Sequence, residues 1–305
     1  WSVYDRGTYM YNSVAEIVET AIKQDKPIWK LMLEQEIAYS RVSRAEVWAK
    51  MQRQLEVMLA AAKRGTTGDG VHSPTGLTGG EAAKMRKYRE SGQGLTDETV
   101  LYAIENSIAT NEVNAAMGLI CATPTAGSSG TIPGVLFALQ KKRGLTTDQM
   151  VAFLFCASAF GMVTANNAMI AGATGGCQAE VGSASGMAAA AAVEICGGSP
   201  TQAAEAFAMA LSNLLGLVCD PVAGLVEVPC VKRNVVGSVN ALAAADMALA
   251  GLENKIPADE VILAMKRIGK RLPAQLRETG LGGLAATPTG IKMKLKIFGQ
   301  ELDLD

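Results

Sequence analysis

The chain has 305 residues and a net charge of −1, from 28 basic and 29 acidic side chains with no basic block, which argues against a nucleic-acid or membrane-surface partner. It is 49% hydrophobic but only 5% aromatic, so its core must be built from Ala, Leu, Val, Ile and Met, side chains that suit closely packed helices. The apolar runs 150–163 and 203–218 are too short or interrupted to span a bilayer, no secretion signal opens the chain, and six cysteines at this length are not a disulfide scaffold, so a reducing cytoplasm with free or metal-bound thiols is expected.

In chain order, the first third reads as one helix after another. Val14, Ile17, Val18, Ala21 and Ile22 share a face at helical spacing. Ser43 and Glu46 make a capping box ahead of Val47, Met51, Leu55, Met58 and Leu59, and Gly65 is the expected stop. A loop over 65–80 follows, with six glycines and the chain's single histidine, His72. Thr78 and Glu81 have the spacing of a second capping box, opening a short basic helix that ends near Ser91. A longer helix is expected over 97–119, with Val100, Ile104, Ile108 and Met117 on its apolar side.

Residues 121–134, CATPTAGSSGTIPG, form the most turn-rich stretch of an otherwise apolar region. Helices resume over 133–143, with Gly144 as the stop, and again after the Thr146–Gln149 start signal. Ser199-Pro200-Thr201-Gln202 is a third start, because proline at the first helical position and Gln three past the cap reinforce each other. Helices over 234–251 and 258–272 close the series, and Pro273 ends it. Only 222–228 shows a brief apolar–polar alternation, so the fold class is all-α. Ala122-Thr123-Pro124-Thr125 recurs as Ala286-Thr287-Pro288-Thr289, which is either chance likeness between turns or a pair of loops facing across a cleft.

The chain is organised around three cysteines. Cys177 lies in GATGGCQAEVGSASGM, while Cys219 and Cys230 lie in LGLVCDPVAGLVEVPCVKRN, and a pair of Ala- and Met-rich helices joins the two segments. Each sits beside Gly, Pro or Asp in an expected turn, where backbone can approach a ligand closely. Three thiolates can hold an iron–sulfur cluster and leave one iron open as a Lewis acid, whereas four would saturate it for electron transfer. The gaps of 41 and 10 residues form no recognised motif, and small buried cysteines serve equally well as core. Cys156 and Cys196 read as core, and Cys121 as a residue that could line the site without ligating. Hydroxyls at Thr123, Thr125, Ser128, Ser129 and Thr131 precede a helix start that suits a carboxylate or phosphate, or simply form a capped turn. His72 reads as a solvated loop residue, Lys84 and the Arg277-Glu278 pair as charges that could enter a site, and Glu180 and Asp220 as structured acids.

The segments GGCQAEVGSASGMAAAA, LGLVCDPVAGLVEVPCVKRN, ATPTAGSSGTIPG, TGLTGGEAAKM and LRETGLGGLAATPTG resemble the α chain, or catalytic domain, of the iron–sulfur-dependent L-serine dehydratase family over nearly the whole sequence. The resemblance implies a single all-helical catalytic domain over 1–305; residues 1–12, opening on Trp1 rather than Met, read as a start that is either poorly ordered or added to the natural chain. It also implies a four-iron, four-sulfur (4Fe-4S) cluster on Cys177, Cys219 and Cys230, and deamination of L-serine to pyruvate and ammonia without pyridoxal phosphate. Thr125 and Ser128 become the candidates to hold the substrate carboxylate, with Lys84 a further catalytic candidate. The family's catalytic domain pairs with a smaller α+β portion, here expected as a separate β chain. That portion carries a Ser-Ser-His-Thr-type motif, so the general base is expected on it. Alternatives within the same chemistry are cysteine desulfidation and threonine deamination. A different class is an iron–sulfur sensor with Cys121 as fourth ligand, and a third is a non-catalytic helical scaffold.

Overall fold

Helical periodicity and caps fold the chain much as its local signals direct. The computed structural model describes residues 11–299, and the first ten residues of the expected poorly ordered start lie outside that range. The described residues contain thirteen α-helices and no strand. The alternation at 222–228 forms a single turn at Val222–Gly224 instead, since no neighbouring strand is there to pair with it.

Ser43, Thr146 and Ser199 close their capping boxes as expected, opening α3 (Arg44–Thr66), α7 (Thr147–Asn167) and α10 (Pro200–Asn213). In each, the cap hydroxyl accepts from the third helical N–H, and the Glu or Gln there returns a bond to the cap's own N–H. Asp97 caps α5 (Glu98–Ala115) with a single bond, its carboxylate accepting from Val100 N–H, and Gly144 ends α6 (Thr131–Arg143) in the left-handed conformation. The Thr78–Glu81 box does not form. The cap of α4 (Glu81–Glu90) is Gly80, in the left-handed region, and its first amides are taken by Glu112 on α5. Glu112 accepts from Glu81 N–H at 2.7 Å and Ala82 N–H at 3.0 Å, so the cap comes from another helix.

Four other boundaries differ from expectation. Gly65 lies inside α3 rather than ending it; a Cβ there would stand 2.5 Å from the Ala109 carbonyl oxygen, so this glycine permits the α3–α5 crossing. Helix α5 ends at Ala115, and Met117 is left-handed and exposed rather than on an apolar face. Helix α11 (Cys230–Leu249) starts four residues before position 234, making Cys230 its first residue. Pro273 does not end the series, because α13 (Pro288–Phe298) follows. Thr287 caps it and Pro288 takes its first position. The two Ala-Thr-Pro-Thr copies therefore differ in structure, the first having a cis Thr123–Pro124 bond and the second opening a helix.

The core centres on α9 (Ser183–Ile195), buried along Ser183–Val193 and packed against α6, α7, α10 and α11. Glycines at its contacts let neighbouring side chains come close: a Cβ on Gly186 of α9 would sit 2.8 Å from Phe207, and one on Gly161 of α7 2.6 Å from Met187. Phe160 of α7 stacks on Phe207 of α10 with ring centroids 5.2 Å apart. Helix α7 is long and apolar enough to cross a membrane, more so than the 150–163 run implies, yet 72% of that window is buried inside the protein. Around this core, α1 (Val14–Gln24) and α12 (Ala258–Arg271) pack on α10, while α2 (Ile28–Ser40) packs on α7. The short α8 (Gly172–Gly175) rests on α12 and leads through Cys177 into a wider, π-type turn at Gln178–Gly182 that runs straight into α9. One end of the central helix thus carries the first of the three cysteines.

Candidate metal centre

The three segments singled out by their cysteines meet at the N-terminal end of α9. Cys177 precedes the π-type turn, Cys219 lies in the loop after α10, and Cys230 opens α11. Their exposures are 3%, 3% and 7%, and all three thiols are free. Cys177 and Cys219 share a small apolar cluster with Val181, Leu214 and Leu217. The thiols also sense one another's charge: Cys177 raises both Cys219 and Cys230, and Cys230 raises Cys219. Burial is the largest cause in each case, pushing Cys177 up to about 12 and the other two well above the ordinary thiol range. Arg233, one turn into α11, pulls Cys177 and Cys230 back down. The other cysteines stand apart. Cys156 is fully buried in the core, Cys196 is half-buried near the end of α9, and the half-buried Cys121 is shifted by burial alone.

Carboxylates complete the donor set. Oxygens of Glu180 and Glu278 and the sulfur of Cys219 all lie within 4.8 Å of one another. Burial is the first cause raising Glu180, opposed by the Thr125 hydroxyl. Two glycines make room for it, since a Cβ on Gly172 would stand 2.8 Å from both Cys219 Sγ and Glu180 Oε2, and one on Gly127 2.9 Å from Glu180 Oε2. Asp220 is paired with Arg233, whose Nη1 lies 2.7 Å from Asp220 Oδ1 and donates to the Val218 carbonyl at 2.8 Å. Asp220 Oδ2 also accepts from Leu284 N–H at 2.7 Å, tying the Cys219 loop to the C-terminal segments.

The hydroxyl loop borders this centre. Thr125 Oγ1 donates to Glu180 Oε1 at 2.7 Å, and Ser128 Oγ donates to the Thr123 carbonyl at 2.9 Å. Both hydroxyl protons are thus engaged within the protein, whereas the buried hydroxyls of Thr123 and Ser129 have no partner among the described residues. Buried polar groups without partners are uncommon and suit a ligand that supplies them. Lys84 is exposed on α4 and joins no ion pair among the described residues. His72 is exposed and its backbone pairs with Gly79 across a tight loop.

Two features escaped the sequence reading. Asn234, fully buried, accepts from Gly130 N–H at 3.2 Å and Thr131 Oγ1 at 2.9 Å, and donates to the carbonyls of Gly127 at 2.7 Å and Cys230 at 3.0 Å. It clamps the hydroxyl loop to the Cys230 helix. A helix start at Cys230 would have placed it one turn further on the same face. The second is Thr75, whose hydroxyl donates to buried Glu227 at 2.8 Å and fastens the Gly-rich loop to the segment before Cys230. Nothing local in the sequence marks that pair.

A family model described as serine dehydratase alpha chain matches residues 23–285. A Bacillus subtilis protein named probable L-serine dehydratase, alpha chain, is 57% identical over 96% of this chain and 97% of its own length. The L-serine dehydratase alpha chain of Peptoniphilus asaccharolyticus is 42% identical over 93% of this chain and 97% of its own. L-serine dehydratase 2 of Escherichia coli is 37% identical over 91% of this chain but only 62% of its own length. With the model spanning most of the chain and two relatives matched almost end to end, this protein belongs to the serine dehydratase alpha chain family.

Proposed function

We propose that this chain is the catalytic subunit of an L-serine dehydratase, a cytoplasmic lyase converting L-serine to pyruvate and ammonia with a 4Fe-4S cluster on Cys177, Cys219 and Cys230 rather than pyridoxal phosphate. The observation that carries the reading is that three free, buried thiols from distant segments lie near enough to act on one another, with Cys177 and Cys219 in one apolar cluster and Cys219 beside buried Glu180. The donor set fits such a group. Soft thiolates suit iron–sulfur clusters, and burial raises the Cys177 thiol, a cost that a bound metal's positive charge would offset. Held by Cys177, Cys219 and Cys230, such a cluster would supply a Lewis acid toward the substrate hydroxyl.

The chain's own residues then bind and orient. Thr125 fixes the Glu180 carboxylate at the edge of the thiol pocket. The Thr123–Thr131 loop, with Ser128 bracing its turn and unpartnered hydroxyls on Thr123 and Ser129, receives the substrate carboxylate at the start of α6. Apolar neighbours Val181, Leu214 and Leu217 keep water away from the thiols. Loss of the Cα proton and the β-hydroxyl as water leaves aminoacrylate, which tautomerises to the imine and hydrolyses to pyruvate and ammonia. The base that takes the Cα proton comes from a separate β chain, and exposed Lys84 is available to contact it or the substrate. The naming of the matched relatives as alpha chains supports a second chain, as does the greater length of the Escherichia coli relative.

The sensor reading needs Cys121 as a fourth ligand, and Cys121 packs against the main core rather than in the small cluster that Cys177 and Cys219 share. The test is anaerobic reconstitution with iron and sulfide, then a pyruvate assay with and without the β chain. Ser replacements at 177, 219 and 230 are expected to lose iron, while Cys121→Ser and Cys156→Ser keep it. Equal iron content in all five variants would sink the reading.

A further inference from the structure

The two glutamates of the thiol pocket are not equivalent. Glu180 is engaged: its Oε1 takes the Thr125 hydroxyl, and its Oε2 fills space that the glycines at 127 and 172 leave by having no Cβ. Glu278 accepts no side-chain hydrogen bond and joins no ion pair among the described residues, although its carboxylate lies within the same 4.8 Å group as Cys219 Sγ. The Cys219 thiol is 3% exposed and likewise makes no hydrogen bond.

The backbone holds Glu278 in this place. Cys219 N–H donates to the Leu276 carbonyl at 2.9 Å, and Glu278 N–H donates to the Cys219 carbonyl at 2.7 Å, forming a short parallel bridge. Between these bonds the chain turns so sharply that Glu278 has a φ of +64°, a left-handed conformation that residues with a Cβ rarely take. A non-glycine residue held there by its own N–H bond to a pocket cysteine, with its carboxylate unpartnered among the described residues, is a feature that clusters at functional sites. The three cysteines account for three corners of a four-iron cluster and leave the fourth without a protein thiolate.

We propose that the Glu278 carboxylate is the fourth protein ligand of the iron–sulfur group held by Cys177, Cys219 and Cys230, an inference that rests on the reading of those thiols given above. A carboxylate is a harder and weaker donor than a thiolate toward this kind of iron. It therefore retains the iron when substrate is absent and yields to a substrate hydroxyl more readily than a fourth cysteine would.

The test uses the full chain reconstituted anaerobically with iron and sulfide, as wild type, Glu278→Gln and Glu278→Cys, followed by mild oxidation with ferricyanide. Iron content and the electron paramagnetic resonance signal of the three-iron product are followed with time, alongside the Mössbauer spectrum before oxidation. Glu278→Gln is expected to take up as much iron and sulfide as wild type, then lose its fourth iron about tenfold faster. Glu278→Cys is expected to lose it more slowly than wild type. If Glu278→Gln keeps the wild-type rate and spectrum, or if Glu278→Cys loses iron like Glu278→Gln, residue 278 does not reach the metal and the proposal is overturned. Failure of the wild type itself to bind iron and sulfide would overturn the thiol reading as well, so the two failures are distinguishable.

Discussion

Replacing Asn234 by Ala should separate the hydroxyl loop from the Cys230 helix. The side chain is fully buried and makes four hydrogen bonds, two accepted from Gly130 and Thr131 and two donated to Gly127 and Cys230. Alanine strands the Gly130 N–H and leaves Thr131 Oγ1 only the Asn234 carbonyl, at the 3.5 Å limit. Each buried group left without a partner costs about 1–3 kcal/mol, so a total loss of about 3 kcal/mol is expected. That reduces the ratio of folded to unfolded chain more than about a hundredfold. Equilibrium urea unfolding followed by far-UV circular dichroism measures it. At a slope of about 3 kcal/mol per molar, the midpoint should fall by about 1 M. Asn234→Asp should fall at least as far, because it loses both donors and sets an anion against two carbonyls. A midpoint shift below about 0.3 M for Asn234→Ala, at unchanged slope, would show that the clamp contributes little and that the loop is held by other contacts.

Further outcomes follow from the packing and the buried acids. Gly65→Ala gains helix propensity of about 1 kcal/mol but drives a methyl onto the Ala109 backbone, so a net loss of about 1–2 kcal/mol is expected; a raised thermal midpoint would refute it. Thr75→Val leaves buried Glu227 without its hydroxyl partner and should cost about 2 kcal/mol, with faster limited proteolysis in the 67–80 loop; unchanged cleavage would show that the pair does not secure it. Burial raises Glu112 above its ordinary value of 4.5, so the folded chain binds that proton more tightly than the unfolded chain. This group's contribution is most favourable below 4.5 and is lost as pH rises through the raised folded value. The stability of Glu112→Gln should therefore fall less than that of wild type between about pH 4.5 and neutrality, and parallel curves would contradict the assignment.

Much of the helical series was legible because its signals act within a single turn. The boxes at Ser43, Thr146 and Ser199 need only a hydroxyl and a Glu or Gln three residues on, and no distant residue competes for them. Where a distant residue does compete, local reading fails. Glu112 displaces Thr78 as the cap of α4, and Ala109 turns Gly65 from a helix stop into a point of helix contact. The start of α11 was placed late because Pro229-Cys230 reads as a turn, and that displacement hid Asn234 from view. The start of α13 is written locally in Thr287-Pro288, beyond the stop expected at Pro273.

The composition and cap pattern were enough to specify an all-helical chain, and the glycine-flanked cysteines and family motifs were enough to nominate its thiols. What no local pattern could set is which groups face one another. Thr125 meets Glu180 across 55 positions, and Asn234 meets Gly127 across 107. Such contacts depend on how closely α6, α9 and α11 pack, which small side chains at distant positions fix jointly. The same cause separates Glu180 from Glu278: the folded backbone brings the Thr125 hydroxyl to one glutamate, and among the described residues it brings no hydrogen-bond donor to the other.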